Sequence, residues 1–293
     1  MAQSSLGLAR AAGQKEAVPV RIGVCSWSLR PKSIEDLAEL VAQCGVNGVQ
    51  LALDPIRTGQ TGWDEGQIRR VLDAAGIEIF SGMMGTAGED YSTLETIKLT
   101  GGVRPDEHWD ANLGAAAANA DLASRLGMGL VTFHAGFIPH EAADPLREVM
   151  IDRLRQIVDV FGGVGVEVAF ETGQETAATL LDALAALERP GAGVNFDPAN
   201  MNLYGMGDPV EALEKLAGDV KQIHIKDAVL APEPGTWGSE EAVGEGAVDW
   251  DGFFGVVRKV GLACDCVIER EDGESRVEDV IKARSLVERL CSL

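Results

Sequence analysis

The chain has 293 residues, 46% hydrophobic and 24% charged, with a formal net charge of −21. That length and ordinary globular composition allow one barrel-sized domain or two small ones. So negative a field repels phosphate backbones, which argues against nucleic acid as a partner, and no apolar run approaches the roughly 18 residues of a membrane helix, so no membrane role is expected.

Residues 1–20 are expected to be a flexible N-terminal arm. Met1 to Pro19 lacks the apolar segment of a secretory leader. Five cysteines in so long a chain argue against a disulfide framework and for a reducing, cytoplasmic setting. Cys264 and Cys266, two apart on an expected strand, have no second Cys pair nearby that would make a zinc site.

From residue 21 to 293 strand-like and helix-like segments alternate. Eight short runs rich in Val, Ile, Leu or Phe read as strands buried on both faces: Ile22–Ser26, Gly48–Leu53, Ile77–Ser81, Leu130–His134, Val166–Glu171, Gly193–Asp197, Val220–His224 and Cys266–Glu269. Amphipathic helices separate them. Ser33 opens the first, Ile34, Leu37, Ala38 and Val41 make its apolar stripe, and Gly45 stops it. Asp64 opens the next, with Ile68, Val71, Leu72 and Ala75 facing inward before Gly76. Asp144-Pro145 and Asp208-Pro209 pair a capping side chain with proline in the first helical turn. Leu154, Ile157, Val158 and Phe161 give the helix after the fourth strand its buried face.

Eight strands alternating with eight helices imply repeated right-handed βαβ units. A doubly wound open sheet would usually carry a glycine-rich loop after its first strand; Trp27-Ser28-Leu29-Arg30-Pro31 is not one. The expected fold is therefore α/β, a single-domain (β/α)₈ TIM barrel. Two connections are long, Gly82 to about Asp110 and Ala228 to Asp249. Both leave C-terminal strand ends, where they read as substrate covers. Pro232, Pro234, Gly235 and Gly238 predict an irregular course for the second.

Glu171, Asp197, His224 and Glu269 each close a strand. The steps from Glu171 to Asp197 to His224 are 26 and 27 residues, about one βα unit, and the step to Glu269 is longer by the second loop. Strand ends converge at one mouth of a parallel barrel, so three carboxylates and an imidazole would meet there. That donor set suits one divalent ion, Mn²⁺ by preference, with Mg²⁺, Co²⁺ and Zn²⁺ as alternatives. Lys226, two residues past His224, is placed to hold an oxyanion. Trp27 and Trp237 could form an apolar wall against a sugar face.

Glu171-Thr-Gly, Asn195-Phe-Asp197-Pro-Ala-Asn200, His224-Ile-Lys-Asp227, Gly244-Glu-Gly-Ala-Val-Asp249-Trp250 and Val267-Ile-Glu-Arg-Glu271 together resemble the sugar phosphate isomerase/epimerase family, in the xylose-isomerase-like TIM-barrel superfamily. The resemblance runs from about residue 21 to the C-terminus. It implies a metal-dependent sugar isomerase or epimerase acting on a ketose or keto-sugar by proton transfer through an enediolate. Glu171 and Glu269 would then be the acid/base pair, besides binding the metal with Asp197 and His224. It places His134 and Asn200 against the substrate, although several relatives carry histidine at position 200 and many carry glutamate where this chain has Gln50. The second expectation is a lyase or dehydratase acting on a keto-sugar, a 3-keto-glycoside or an inosose. The partner implied is a small sugar, and a homo-oligomer is left open. The endonuclease relatives bind three zinc ions through extra histidines; this chain has four histidines in all.

Overall fold

The computed structural model describes residues 20–233 and 235–291. The arm expected over residues 1–20 lies, but for Val20, outside the described residues. Eight parallel strands close a barrel: β1 (Ile22–Cys25), β2 (Gly48–Ala52), β3 (Glu78–Met83), β4 (Leu130–Phe133), β5 (Glu167–Glu171), β6 (Ala192–Phe196), β7 (Val220–Ile225) and, last in the chain, Asp265–Ile268. β1 pairs with β2 on one side and with Asp265–Ile268 on the other, so no edge is left open.

The strand after β7 in chain order is not part of the barrel. β8 (Asp227–Val229) and β9 (Ser239–Glu241) form an antiparallel ribbon in the loop expected to be irregular; the last barrel strand is therefore β10. Pro232 lies between β8 and β9, where no ladder hydrogen bond is needed of it, and Pro234 is outside the described residues.

Eight helices surround the barrel: α1 (Ile34–Cys44), α3 (Glu65–Ala75), α5 (Asp106–Leu126), α6 (Pro145–Gly162), α7 (Ala177–Leu187), α9 (Pro209–Leu216), α10 (Trp250–Val260) and α11 (Arg276–Cys291). Three more, α2 (Leu53–Arg57), α4 (Leu94–Thr100) and α8 (Pro198–Tyr204), sit in connections that leave the C-terminal strand ends and add to the eight expected. The caps fall where the sequence places them. Ser33 accepts from the Asp36 amide at 3.1 Å and Asp64 from Gln67 at 2.9 Å. Gly45 and Gly76 end those helices at φ 69° and 67°, backbone that a side chain disfavours.

The apolar stripes and the outer strand faces make one continuous core, with Leu37, Val41, Ile68, Leu154, Ile157, Phe161 and Phe254 among its buried members; Ala75, expected to face inward, is exposed in the last turn of α3. Inside the barrel the fill is layered. Phe80 packs with Cys25 and Val267. A Cβ on Gly48 would stand 2.0 Å from the Phe80 ring, so glycine there makes room for it. Nearer the mouth the interior turns polar: Gln50, Ser81, Thr132, Asn195, Gln222 and His224 are fully buried. Such groups are tolerated only when hydrogen-bonded. Ser81 donates to Gln222 at 2.6 Å, and Gln222 donates to Asn195 at 3.2 Å. Asn195 in turn donates to Glu171 at 3.2 Å. This chain of bonds carries the order of the interior up to the strand ends.

Candidate active site

Glu171 is the last residue of β5 and His224 the penultimate residue of β7, while Asp197 and Glu269 lie one residue beyond β6 and β10. Donor atoms of all four lie within 4.8 Å of one another. His224 Nδ1 faces Glu171 Oε1 at 3.5 Å, Glu269 Oε2 at 3.6 Å and Asp197 Oδ2 at 3.9 Å. All four are buried.

Each carboxylate is held differently. Asp197 Oδ1 accepts from the amides of Ala199 and Asn200 at 2.8 and 3.0 Å, capping α8. Its Oδ2 has no hydrogen-bond partner, and neither does His224 Nδ1. Glu171 accepts from Asn200 Nδ2 at 2.9 Å and from Asn195 at 3.2 Å, and His134 Nε2 is 3.7 Å from it. Glu269 accepts from the Trp27 indole at 2.9 Å and from Lys226 Nζ at 2.9 Å.

Three buried carboxylates meet here, and their pKa values diverge. Burial raises Asp197, and the charges on Glu171 and Glu269 add to that against the pull of Lys226; its pKa is pushed up to about 7. Burial also works against ionised Glu269, but Lys226 and His224 outweigh it and hold the carboxyl well below the usual range. Glu171 is lowered in the same way, its burial outweighed by His134 and His224. Burial disfavours the His224 cation, yet Glu171, Cys25 and Glu269 together raise its pKa well above the ordinary value. Lys226 divides its charge between Glu269 and Glu271. Two unpartnered buried donor atoms aimed into a cluster of anions fit a divalent cation, with Glu171, Asp197, His224 and Glu269 as the residues able to hold it.

Lys226, expected at the mouth, does line the cavity and is already paired there. It is buried, bound to Glu269 and to Glu271, and its charge serves those carboxylates. Trp27, in a 3₁₀ turn directly after β1, is more than an apolar wall, because its indole N–H holds Glu269. Trp237 packs edge-on against Tyr204, ring centroids 4.8 Å apart.

The two motifs around the second loop divide into a chemical half and a structural half. Asp227 accepts from Ala228 N, Val248 N, Gly244 N and Trp250 Nε1 at 2.8–3.1 Å, which ties both ends of the loop together. A Cβ on Gly246 would meet Asp227 Oδ1 at 2.1 Å. Glu240 on β9 binds Arg270 at 2.7 Å and so fastens the ribbon beside Glu269. These residues build the site without entering it.

Above the cluster opens a cavity of about 950 Å³. Glu269, His134, Asn200 and Lys226 reach it, as do both tryptophans; Glu171, Asp197 and His224 lie beneath. Met83, Met84, Tyr91, Leu203 and Tyr204 add apolar wall, and Asp54, Glu89, Glu271 and Asp272 add acid. Among the described residues Lys226 is the only Lys or Arg lining it. Asn195, Tyr204 and Glu271 join the site unexpectedly, and Gln50, singled out in the sequence only as a departure from relatives, joins it beside His224. Asn195 and Glu271 stand within the motifs and were findable there; Tyr204 carries no local signal.

The architecture is that of a family. The chain belongs to the xylose isomerase-like TIM barrel family, whose sequence model matches residues 38–289. A xylose isomerase domain protein from Planctomyces limnophilus is 33% identical, with a TM-score of 0.80 over 86% of this chain and 91% of that one. An L-ribulose 3-epimerase superposes with a TM-score of 0.72 at 16% identity, over 94% and 95% of the two chains. The probable 3-DHS dehydratase of Bacillus anthracis gives 0.71 at 18%, over 92% and 99%. At those identities the last two share the fold. None of the curated proteins searched matches this sequence. Among the described residues no helix is long and apolar enough to cross a membrane.

Proposed function

We propose that the protein is a divalent-metal-dependent isomerase or epimerase of a ketose or keto-sugar, with Glu171 and Glu269 as its acid/base pair. The observation that carries the reading is the pair of unpartnered buried atoms, Asp197 Oδ2 and His224 Nδ1, flanked by those two glutamates beneath the mouth cavity. A bound divalent ion, Mn²⁺ by preference, would supply Lewis-acid stabilisation of the negative charge that develops on a sugar carbonyl oxygen. Glu171, Asp197, His224 and Glu269 would hold it.

The protein's own groups supply the proton chemistry. Removing a proton from carbon beside a carbonyl needs a carboxylate that is ionised at working pH and a partner able to return the proton. Lys226 keeps Glu269 ionised, and Trp27 fixes the orientation of the same carboxylate. Asn200 and Asn195 orient Glu171, and His134 stands between it and the cavity as a donor for a sugar oxygen. Return of the proton to the opposite face epimerises; return to the neighbouring carbon isomerises. The acidic mouth and the paired state of Lys226 favour an unphosphorylated sugar.

A second reading, a lyase or dehydratase on a keto-sugar derivative, is favoured by the cavity. Its volume of about 950 Å³ is at the upper end of what a drug-sized ligand fills, and its walls carry Trp237, Tyr204, Met83 and Met84. That leaves room for a leaving group beside the sugar ring.

The test is incubation with free ketoses and keto-glycosides in D₂O with and without Mn²⁺, followed by NMR. The expected result is metal-dependent deuterium entry at the carbon beside the carbonyl, with an epimer or isomer formed. Glu171→Gln and Glu269→Gln should each lower that rate about 10²–10⁴-fold. Release of a fragment would select the lyase. Exchange that survives in both variants would remove the acid/base assignment.

A further inference from the structure

We propose that Gln50 is a positioning residue that fixes the tautomer of His224, so that the ring offers Nδ1, and not Nε2, to a divalent ion. The inference rests on the metal reading above and concerns a residue outside the four-donor cluster.

The Gln50 amide is fully buried on β2. Its nitrogen lies 3.4 Å from the Gly82 carbonyl and 2.9 Å from Thr132 Oγ1. A carbonyl can only accept, so the NH₂ end must face Gly82 and the amide cannot be turned round. Its Oε1 is then the atom 2.7 Å from His224 Nε2. An oxygen acceptor at that distance from a ring lone pair would be repulsive, so Nε2 carries the proton. Cys25 occupies the remaining approach. Its Sγ is 3.4 Å from Gln50 Oε1 and 3.9 Å from His224 Nε2.

With the proton held on Nε2, the lone pair of a neutral His224 sits on Nδ1. That is the atom without a hydrogen-bond partner, facing Glu171, Asp197 and Glu269. The opposite tautomer would turn the lone pair toward Gln50 and Cys25. The second nitrogen of a metal-binding histidine is ordinarily tied down by a carboxylate or carbonyl oxygen. Here a neutral side-chain amide does it, adding no fourth anion to a site that already holds three buried carboxylates.

The experiment uses protein with ¹⁵N-labelled histidine rings, loaded with diamagnetic Zn²⁺ and read by long-range ¹H–¹⁵N NMR. The chain has four histidines, and the His224 signals are those lost in His224→Gln. The expected spectrum shows a proton on Nε2 and a metal-shifted Nδ1. In competition with a chromogenic chelator, Gln50→Leu should bind Zn²⁺ about 10–100-fold more weakly. Gln50→Glu keeps an acceptor and should stay within a few-fold of the native chain. A proton on Nδ1, or Zn²⁺ on Nε2, overturns the proposal. So does folded Gln50→Leu binding Zn²⁺ as tightly as the native chain. Should the native protein bind no divalent ion, the metal reading falls, and the metal-free spectrum at alkaline pH still decides the tautomer. Nε2–H there upholds the assignment and Nδ1–H refutes it. If Gln50→Leu does not fold, the native spectrum and the Gln50→Glu affinity carry the same decision.

Discussion

Asn200 donates to Glu171 across the mouth, Nδ2 to Oε1 at 2.9 Å, while its own backbone amide donates to Asp197. One residue in the first turn of α8 therefore orients a carboxylate on β5 and another after β6. Asn200→Asp keeps the backbone bond, removes the donor and places a like charge against Glu171. A hydrogen bond to a charged group is worth about 1.5–3 kcal/mol, so the α-proton exchange rate should fall about 10–150-fold. Circular dichroism should show the fold retained. Unchanged exchange would mean that Glu171 does not need this partner.

Lys226 holds Glu269 ionised against the effect of burial. In Lys226→Met the larger counter-charge is gone and His224 alone is left to oppose burial, so the Glu269 pKa must rise. A base must be ionised to accept a proton, so the acidic limb of the kcat/KM profile should move to higher pH. A limb that stays in place would take Glu269 out of the base role.

Metal binding should compete with protons. The metal-free cluster carries a proton on Asp197 up to about pH 7 and one on His224 to higher pH. A cation must displace both, so calorimetric affinity for Mn²⁺ should climb as pH rises through 7. Ion at 100 times its dissociation constant should stabilise the fold by about 2.7 kcal/mol, and chelator should reverse the gain in Tm. A flat affinity between pH 6 and 8 would contradict the cluster as the site.

Glu175 gives a prediction independent of any metal. Burial pushes its carboxyl up to about 7, while the Ile138 amide donates to it at 3.2 Å. Between the unfolded value of 4.5 and 7 the folded protein binds a proton that the unfolded chain releases. Stability therefore falls as pH rises through that window, by roughly 3 kcal/mol in total. Glu175→Gln mimics the protonated acid and should remove that fall. Urea titrations at pH 5 and pH 8 measure it, and parallel losses in both proteins would show that Glu175 is not the group responsible.

The architecture was readable because its signals are local. Each strand is a short apolar run and each helix an amphipathic stripe with its cap beside it, as at Ser33, Asp64, Asp144 and Asp208. The four clustered side chains were readable for the same reason, since each stands where an apolar run ends and a parallel barrel brings such ends together. The ribbon of β8 and β9 was hidden, because its pairing depends on Asp227 drawing Gly244, Val248 and Trp250 back across the loop.

What the sequence determined alone is the barrel and the identity of the residues at its mouth, since both follow from patterns that repeat within a few residues. Only the tertiary structure decided who holds whom. Gln50 meets His224 across 174 positions, Trp27 meets Glu269 across 242, and Lys226, on the cavity wall, pairs with Glu269. Those pairings set the charge of Glu269 and the free nitrogen of His224. They arise from barrel closure, which brings chain-distant side chains within hydrogen-bonding reach in a space too dry to leave them unpaired.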